Sequence, residues 1–233
     1  MTAVARAEGE RVWTAVFILI MKVTALKTHP RNKAQVKLYL DGKFACNLAK
    51  IVGTRLRVGQ ELDEAALARL QKADDAEQAY ERALRFLASR PRSEAEVRQR
   101  LRQHEVSEQT IDAVLERLRG AGLIDDQAFA NYWVENRSTF RPKSKRMLTL
   151  ELKRKGVKDA EALGQALENA NDAEAAYQVA AKRARRMSAL PYAEFFRKLG
   201  DFLARRGFDY ETIQSVVKRV WSEMRAADEG ATE

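Results

Sequence analysis

Between residues 34 and 48 apolar and polar positions take turns. Val36, Leu38 and Leu40 fall on one side of an extended chain and Lys37 and Tyr39 on the other. A period of two marks a strand with one buried face. Asp41-Gly42 follows, a pair that tolerates the positive φ of a two-residue hairpin turn, and Phe44, Cys46 and Leu48 then resume the apolar face. The spacing predicts a β-hairpin, with residues 22–28 as a candidate third strand. A lone hairpin is marginal in water, so it must pack on something.

Beyond the hairpin the period lengthens to that of a helix. Gly53 and Gly59 punctuate a loop, Asp63 can cap a short helix to about Lys72, and Leu62, Ala66, Leu67 and Leu70 form its stripe. From Asp75 onward the pattern is helical to the end. A helix with Ala79, Ala83, Leu84 and Leu87 stops near Arg90-Pro91, because proline disfavours a helical residue before it. Ser93 and Glu96 read as a capping box for a second helix with Val97 and Leu101 inside. A third helix from Ser107 repeats Ile111, Val114, Leu115 and Leu118 and ends at Gly120 and Gly122.

The same sentence is then written again. Asp125-Asp126 opens a helix with Phe129, Trp133 and Val134, Pro142 and Ser144 reset the chain, Leu148 and Leu152 bury, Gly156 terminates, and Ala160, Leu163 and Leu167 close the unit. A third version starts at Asp172 with Ala176, Val179 and Ala180, buries Phe196, Leu199 and Leu203, turns at Gly207, and closes on Ile213, Val216, Val217 and Trp221. Arg90-Pro91-Arg92-Ser93 recurs as Arg141-Pro142-Lys143-Ser144 fifty-one positions on, and Leu101, Leu152 and Leu203 keep that spacing. Pro191 sits two residues out of register, which marks a short insertion. A period of this size signals stacked supersecondary units. The expected organisation is an extension over 1–21, a hairpin module over 22–74, three-helix repeats over 75–124, 125–171 and 172–226, and a frayed tail over 227–233. The fold class is mainly α: three tandem three-helix repeats in an elongated array behind a small β-containing module.

Residues 12–21 form the one continuous apolar run. It is shorter than the ~20 residues that span a bilayer, and it has the flavour of a signal peptide without a small-residue cleavage pattern. Met21 as the true start, upstream sequence and a buried strand all remain open for this stretch. Cys46 is alone, so an internal disulfide is excluded and a cytoplasmic location fits. His29 and His104 are the only histidines, far apart in sequence, and with one cysteine they make no metal-ligand spacing.

The chain of 233 residues carries a net charge of +9, which draws it to nucleic acid, anionic membrane or acidic protein. Residues 137–158 hold nine Lys or Arg and one acid, and residues 182–206 hold eight and two. The candidate contacts are therefore Arg137, Arg141, Lys143, Lys145 and Arg146, then Lys153, Arg154 and Lys155, then Lys182, Arg183, Arg185 and Arg186. A solvated face with cations at helix carboxyl ends accounts for Lys153–Lys155. It does not account for the cluster leading into Lys145, because cations at a helix amino end oppose the dipole. Trp133 lies on the apolar stripe and reads as core, whereas Tyr132 should point outward and could stack on a base. Asp125-Asp126 invites a metal or carboxylate-dyad reading, but its place before a helical stripe favours capping. No nucleophile–base constellation and no phosphate loop is visible, so catalysis and a bound cofactor are not expected.

Several of these residues together resemble the RecX family, bacterial modulators of the RecA recombinase. They are Ala83-Leu84-Arg85-Phe86-Leu87, Arg90-Pro91-Arg92-Ser93-Glu94, Glu96-Val97, Leu101, Leu115, Leu118, Gly122-Leu123-Ile124-Asp125-Asp126, Phe129-Ala130 and Arg137. Tyr39-Leu40-Asp41-Gly42-Lys43-Phe44 and Val58-Gly59-Gln60-Glu61-Leu62 resemble the amino-terminal module of longer members. The resemblance covers residues 22 to 222 and leaves out 1–20. His104-Glu105 departs from it, since many members place a glycine before the valine. It implies a non-enzymatic monomer that lies along the RecA–DNA filament, touching RecA protomers and single- or double-stranded DNA. The implied outcome is inhibition of strand exchange, ATPase and coprotease activity in recombination, repair and the SOS response. A helix-turn-helix regulator of transcription is the other reading of three-helix units. The acidic starts of the third helices, Ser107-Glu108 and Asp159 with Glu161, argue against it.

Overall fold

The computed structural model describes residues 20–230, so the expectations for the apolar run before residue 20 lie outside the described residues. The chain divides into two compact units, one up to Gln78 and one from Ala79.

The first unit is built on a four-stranded antiparallel sheet in the order β3-β2-β1-β4. Its strands are β1 (Met21–Thr28), β2 (Gln35–Leu40), β3 (Lys43–Ala49) and β4 (Glu61–Leu62), with a short helix α1 (Lys50–Gly53) after β3. Asp41 and Gly42 both take positive φ, 48° and 80°, as the predicted two-residue turn requires. Val23, Leu38, Leu40, Leu48 and Leu62 make the core, with Leu67 and Leu70 of α2 (Glu64–Leu87) packed on it. Asp63 caps α2 as expected, accepting from the Ala66 N–H at 2.6 Å.

Two features of this sheet escaped the alternation. The register slips between Leu38 and Tyr39, which face Cys46 and Phe44. Ala45 is thus an extra residue on β3, and the bulge sends Phe44 to the face opposite Cys46 and Leu48. Phe44 is therefore exposed and stacks edge-on against Tyr39 instead of entering the core. A second bulge at Thr24 of β1 is satisfied locally. The Thr24 hydroxyl donates to the Tyr39 carbonyl at 3.2 Å and accepts from the Gly42 N–H at 3.0 Å. Cys46, expected to be buried, is half-buried, and burial first and the charge of Asp74 second push its thiol up.

The second unit is helical. The helices are α3 (Glu94–Arg102), α4 (Glu108–Gly120), α5 (Asp126–Phe140), α6 (Lys145–Arg154), α7 (Ala160–Leu167), α8 (Asp172–Ala184), α9 (Tyr192–Ala204) and α10 (Tyr210–Gly230). The stretch read as two helices around residue 75 is one helix, α2, because nothing between Lys72 and Asp75 breaks it. Likewise α10 continues past Ala226. Three apolar clusters follow one another: Val97, Leu101, Ile111 and Leu115; then Phe129, Leu148, Leu152 and Leu163; then Val179, Phe195, Leu199 and Val217. In the third, Phe195 is fully buried and Phe196 only flanks the cluster. The helix α9 begins a turn earlier than α6 does, at Pro191 with no side-chain cap, and the added turn places Phe195 four residues before Leu199 on the same inward face.

The caps are those the sequence announces. Ser93, Ser107, Ser144, Asp125 and Asp159 accept from the N–H groups of α3, α4, α6, α5 and α7. The Ser93 capping box is only half made. Its hydroxyl accepts from Glu96 N at 3.2 Å, but the Glu96 carboxylate turns away to Arg90 and Lys155.

Candidate nucleic-acid interface

Successive repeats are joined by the same device used twice. At the first junction the Ser93 hydroxyl donates to the Lys155 carbonyl at 2.5 Å, and the Glu94 N–H donates to Asp126 at 2.9 Å. At the second, the Ser144 N–H donates to the Arg206 carbonyl at 3.2 Å, and the Lys145 N–H donates to Asp172 at 2.8 Å. Lys155 and Arg206 are fifty-one positions apart, as are Ser93 and Ser144. Gly156 and Gly207 follow in left-handed conformation, at φ 92° and 89°. Each lies so close to the preceding repeat that a Cβ would run into Ala95 or Met147.

The two junctions differ in charge. Near the first, Glu151 accepts from Arg137 Nε at 2.8 Å, Lys143 Nζ at 2.5 Å and Trp133 Nε1 at 3.0 Å. The Arg137 guanidinium lies 4.4 Å from the Trp133 ring centre and Lys155 Nζ 5.1 Å from it. Lys155 also donates to Glu96 at 2.7 Å, and Arg90 to the same carboxylate at 3.1 Å. Burial alone would raise both carboxyls, but these donors outweigh it and hold Glu96 and Glu151 below the usual range. Arg137, Lys143 and Lys155 are among the candidate contacts that the sequence offers. Here each is engaged by an acid of its own chain, and each side chain is two-thirds or more buried.

At the second junction Glu151 has no acidic counterpart, Phe202 standing at its place. Arg141, Lys182, Arg183, Arg186 and Arg206 line one cleft with Phe140, Pro142 and Phe202, about 290 Å³ in volume and without a carboxylate on its wall. The guanidiniums of Arg183 and Arg206 lie 5.7 and 4.7 Å from the Phe202 ring centre. Arg206 Nη1 donates to the Pro142 carbonyl at 3.0 Å. Burial first, and the charge of Arg141 second, pull the Arg206 guanidinium below its ordinary value. Phe140 stands at the rim, 75% exposed. A neighbouring hollow of about 620 Å³ shares Arg183, Arg186 and Phe202 and adds Arg185, Lys198 and Arg205, with Asp201 as its one acid. Unpaired guanidiniums that repel one another favour an anion between them.

The other expected contacts are scattered. Lys145 and Arg146 are exposed in the first turn of α6, where Asp172 offsets part of their conflict with the dipole. Lys153 and Arg154 are exposed in its last turn, where cations belong. Tyr132, expected to point outward, is half-buried. Trp133 is partly buried on Phe129, ring centres 5.8 Å apart. Asp125 caps α5 and Asp126 ties the junction, so both carboxylates are used structurally. Among the described residues no group of three His, Cys, Asp or Glu could hold a metal ion, and no helix is long and apolar enough to cross a membrane. Arg206 and Phe202 were missed, although Arg206 repeats Lys155 at the fifty-one-residue spacing.

Comparisons with known proteins agree with this architecture. Models of the first, second and third three-helix domains of RecX match residues 79–118, 125–162 and 170–217. The Regulatory protein RecX of Bacillus licheniformis is 30% identical over 84% of this chain and 76% of its own length. That of Levilactobacillus brevis is 34% identical over 81% and 73%. A crystal structure of regulatory protein RecX superposes with a TM-score of 0.68 at 29% identity, covering 84% of this chain and 98% of that one. A crystal structure of RecX from Lactobacillus salivarius gives 0.56 at 28%, over 64% and 97%. With three matching domains in order and relatives at this identity over most of their length, the chain belongs to the RecX family of regulatory proteins.

Proposed function

We infer that this protein acts without bond-making of its own, by lying along the RecA–DNA filament and restraining the recombinase. The observation that carries the reading is the cleft at the second junction. Five cations share it, none has a carboxylate there, and an exposed aromatic ring marks its edge. Such a site suits the phosphates of a polyanion, and Phe140 adds an apolar contact for a base or a protein side chain. Stacked repeats offer further weak contacts at fixed spacing, and along a helical lattice such contacts add as avidity. A chain that bridges protomers in this way hinders their addition and their conformational cycling. The nucleotide hydrolysed in such a system belongs to the recombinase, since this chain has no phosphate loop. The cytoplasm, where the filament forms, is the proposed location.

The test is strand exchange and DNA-dependent ATPase by the cognate recombinase, titrated with this protein at substoichiometric ratios. Inhibition is expected, and the triple variant Arg141→Ala, Lys182→Ala, Arg186→Ala should keep its fold and lose the effect. No change in either activity on adding the unaltered protein would remove the reading. Undiminished inhibition by the triple variant would remove the cleft from it.

A further inference from the structure

Residues 20–60 carry nine Lys or Arg and a single acid, Asp41, against a net charge of +9 for the whole chain. The strands and their connections are thus a densely cationic stretch of the chain. Asp41 sits at the hairpin turn, where its carboxylate accepts from the Lys22 backbone N–H at 3.0 Å. The outer face of the sheet shows where part of this charge goes. Lys27 of β1 stands directly opposite Lys37 of β2, and Lys37 opposite Asn47 of β3. Like charges placed directly opposite cost stability, and among the described residues neither lysine makes an ion pair. The next row on the same face is Ala25, Tyr39 and Phe44. Its two rings pack edge-on at 5.9 Å, and Phe44 is 53% exposed. Lys27 Nζ lies 5.2 Å from the Tyr39 ring centre and Lys37 Nζ 5.8 Å from that of Phe44.

The Tyr39–Phe44 pair could serve hairpin stability alone, but the opposed lysines work against stability. The bulge at Ala45 also spends a ladder position to bring a large apolar ring to the wet face. We propose that this outer face binds single-stranded nucleic acid, with bases stacking on Phe44 and Tyr39 and phosphates held by Lys27 and Lys37. Every base has a π-face, so aromatic platforms flanked by cations hold single strands with little regard to sequence. A duplex keeps its base faces stacked inside and could use only the lysines. An acidic peptide would likewise leave the aromatic row idle. The ammonium groups are held over rings and not by carboxylates, so a phosphate can recruit them without breaking an ion pair.

The surface lies within the strand module and does not rest on the filament reading. The full chain is tested by fluorescence anisotropy with a labelled twenty-nucleotide oligo(dT). Phe44→Ala should weaken binding about tenfold or more, the cost of losing one stacked base, and Phe44→Trp should retain it. Lys27→Ala with Lys37→Ala should lessen the slope of log affinity against log salt by about 1.4, two single-strand phosphate contacts. Thermal melts should show both variants folded, with the double lysine variant melting no lower than the parent. The cleft triple variant should keep the Phe44-dependent part of binding. Three outcomes would overturn the proposal: variants that bind oligo(dT) like the parent, Phe44→Trp binding as weakly as Phe44→Ala, or a duplex or polyglutamate bound with the same dependence on Phe44. A chain that leaves the recombinase untouched but passes this test would refute the filament reading and leave the strand face standing.

Discussion

Glu151 and Phe202 occupy the same place on the second helix of successive repeats, fifty-one positions apart. Glu151 gathers Arg137 and Lys143 into ion pairs, whereas Phe202 carries Arg183 and Arg206 on its ring and leaves their charge open. One position thus decides which junction holds its cations in ion pairs and which leaves them open. If the five cleft cations each meet one phosphate, log affinity for duplex DNA falls with log salt at a slope near about −4.5. Phe202→Glu gives Arg183 and Arg206 an internal partner and should reduce the slope to about −2.7, three contacts remaining. Binding isotherms across a salt series check this. A slope near zero for the unaltered chain would reject direct phosphate contact and leave a purely protein-mediated interaction.

Removing Glu151 should act on stability first. Glu151→Ala strands Arg137 and Lys143, each with about a quarter of its side chain exposed, and orphans the Trp133 N–H. Groups left partly buried without partners cost about 1–3 kcal/mol together at this exposure. The urea midpoint should fall accordingly, with Glu151→Gln less damaging because an amide oxygen still accepts from Trp133 and Arg137.

What the sequence discloses is local, and what it hides is not. The helix stripes and the caps at Ser93, Ser107, Asp125 and Ser144 depend on residues within one turn, and they are legible for that reason. The fifty-one-residue echo discloses the repeats. Glu151 is hidden because its partners lie eight and fourteen positions away on another helix and a loop. Only packing brings them together. The same holds for Ser93, whose hydroxyl reaches a carbonyl sixty-two positions on. Phe44 is hidden differently. The alternation is real, but one inserted residue, Ala45, inverts it, and nothing in the pattern marks the insertion.

The two depressed carboxyls predict the acid limb of stability. Burial opposes ionisation of Glu96 and Glu151, but hydrogen bonds from Lys155, Arg90, Lys143, Arg137 and Trp133 prevail, so both titrate below their unfolded values. A group whose folded pKa is depressed stabilises above its unfolded pKa, about 4.3 for Glu, and loses that contribution as pH falls through the folded value. The melting temperature should therefore hold from pH 8 to about 5.5 and drop below about 4.3. Glu96→Gln with Glu151→Gln should melt lower at neutral pH and show a shallower acid limb. A parallel shift of the whole curve would contradict the assignment.

Asp126 runs the other way. Burial first, and then its carboxylate neighbours, push its pKa up despite the hydrogen bond from Glu94 N. A raised acid favours folding less once ionised. Asp126→Asn keeps an acceptor for Glu94 N and drops the charge, so its midpoint in urea should equal or exceed the parent's at pH 7. Asp126→Ala removes the acceptor as well, and it should cost about 1 kcal/mol. If Asn proved as damaging as Ala, the charge itself would be holding the first junction.

The turn after the second helix offers the sharpest comparison between repeats. Glu105, Gly156 and Gly207 stand at successive intervals of fifty-one and share a left-handed backbone, with φ 58°, 92° and 89°. The two glycines press on the repeat before them, where Ala95 and Met147 leave no room for a Cβ. Glu105 belongs to the first repeat, and its side chain is exposed. A Cβ is tolerated there sterically, and the residue bears only the cost of the backbone conformation. Glu105→Gly should therefore be neutral or stabilising by up to about 1 kcal/mol. Gly156→Ala meets both penalties, an L residue at positive φ and a collision across the junction, and should lower stability by about 2 kcal/mol or more. Urea unfolding of the two single variants decides the matter. Equal effects would mean that backbone conformation alone, and not contact between repeats, selects glycine at this turn.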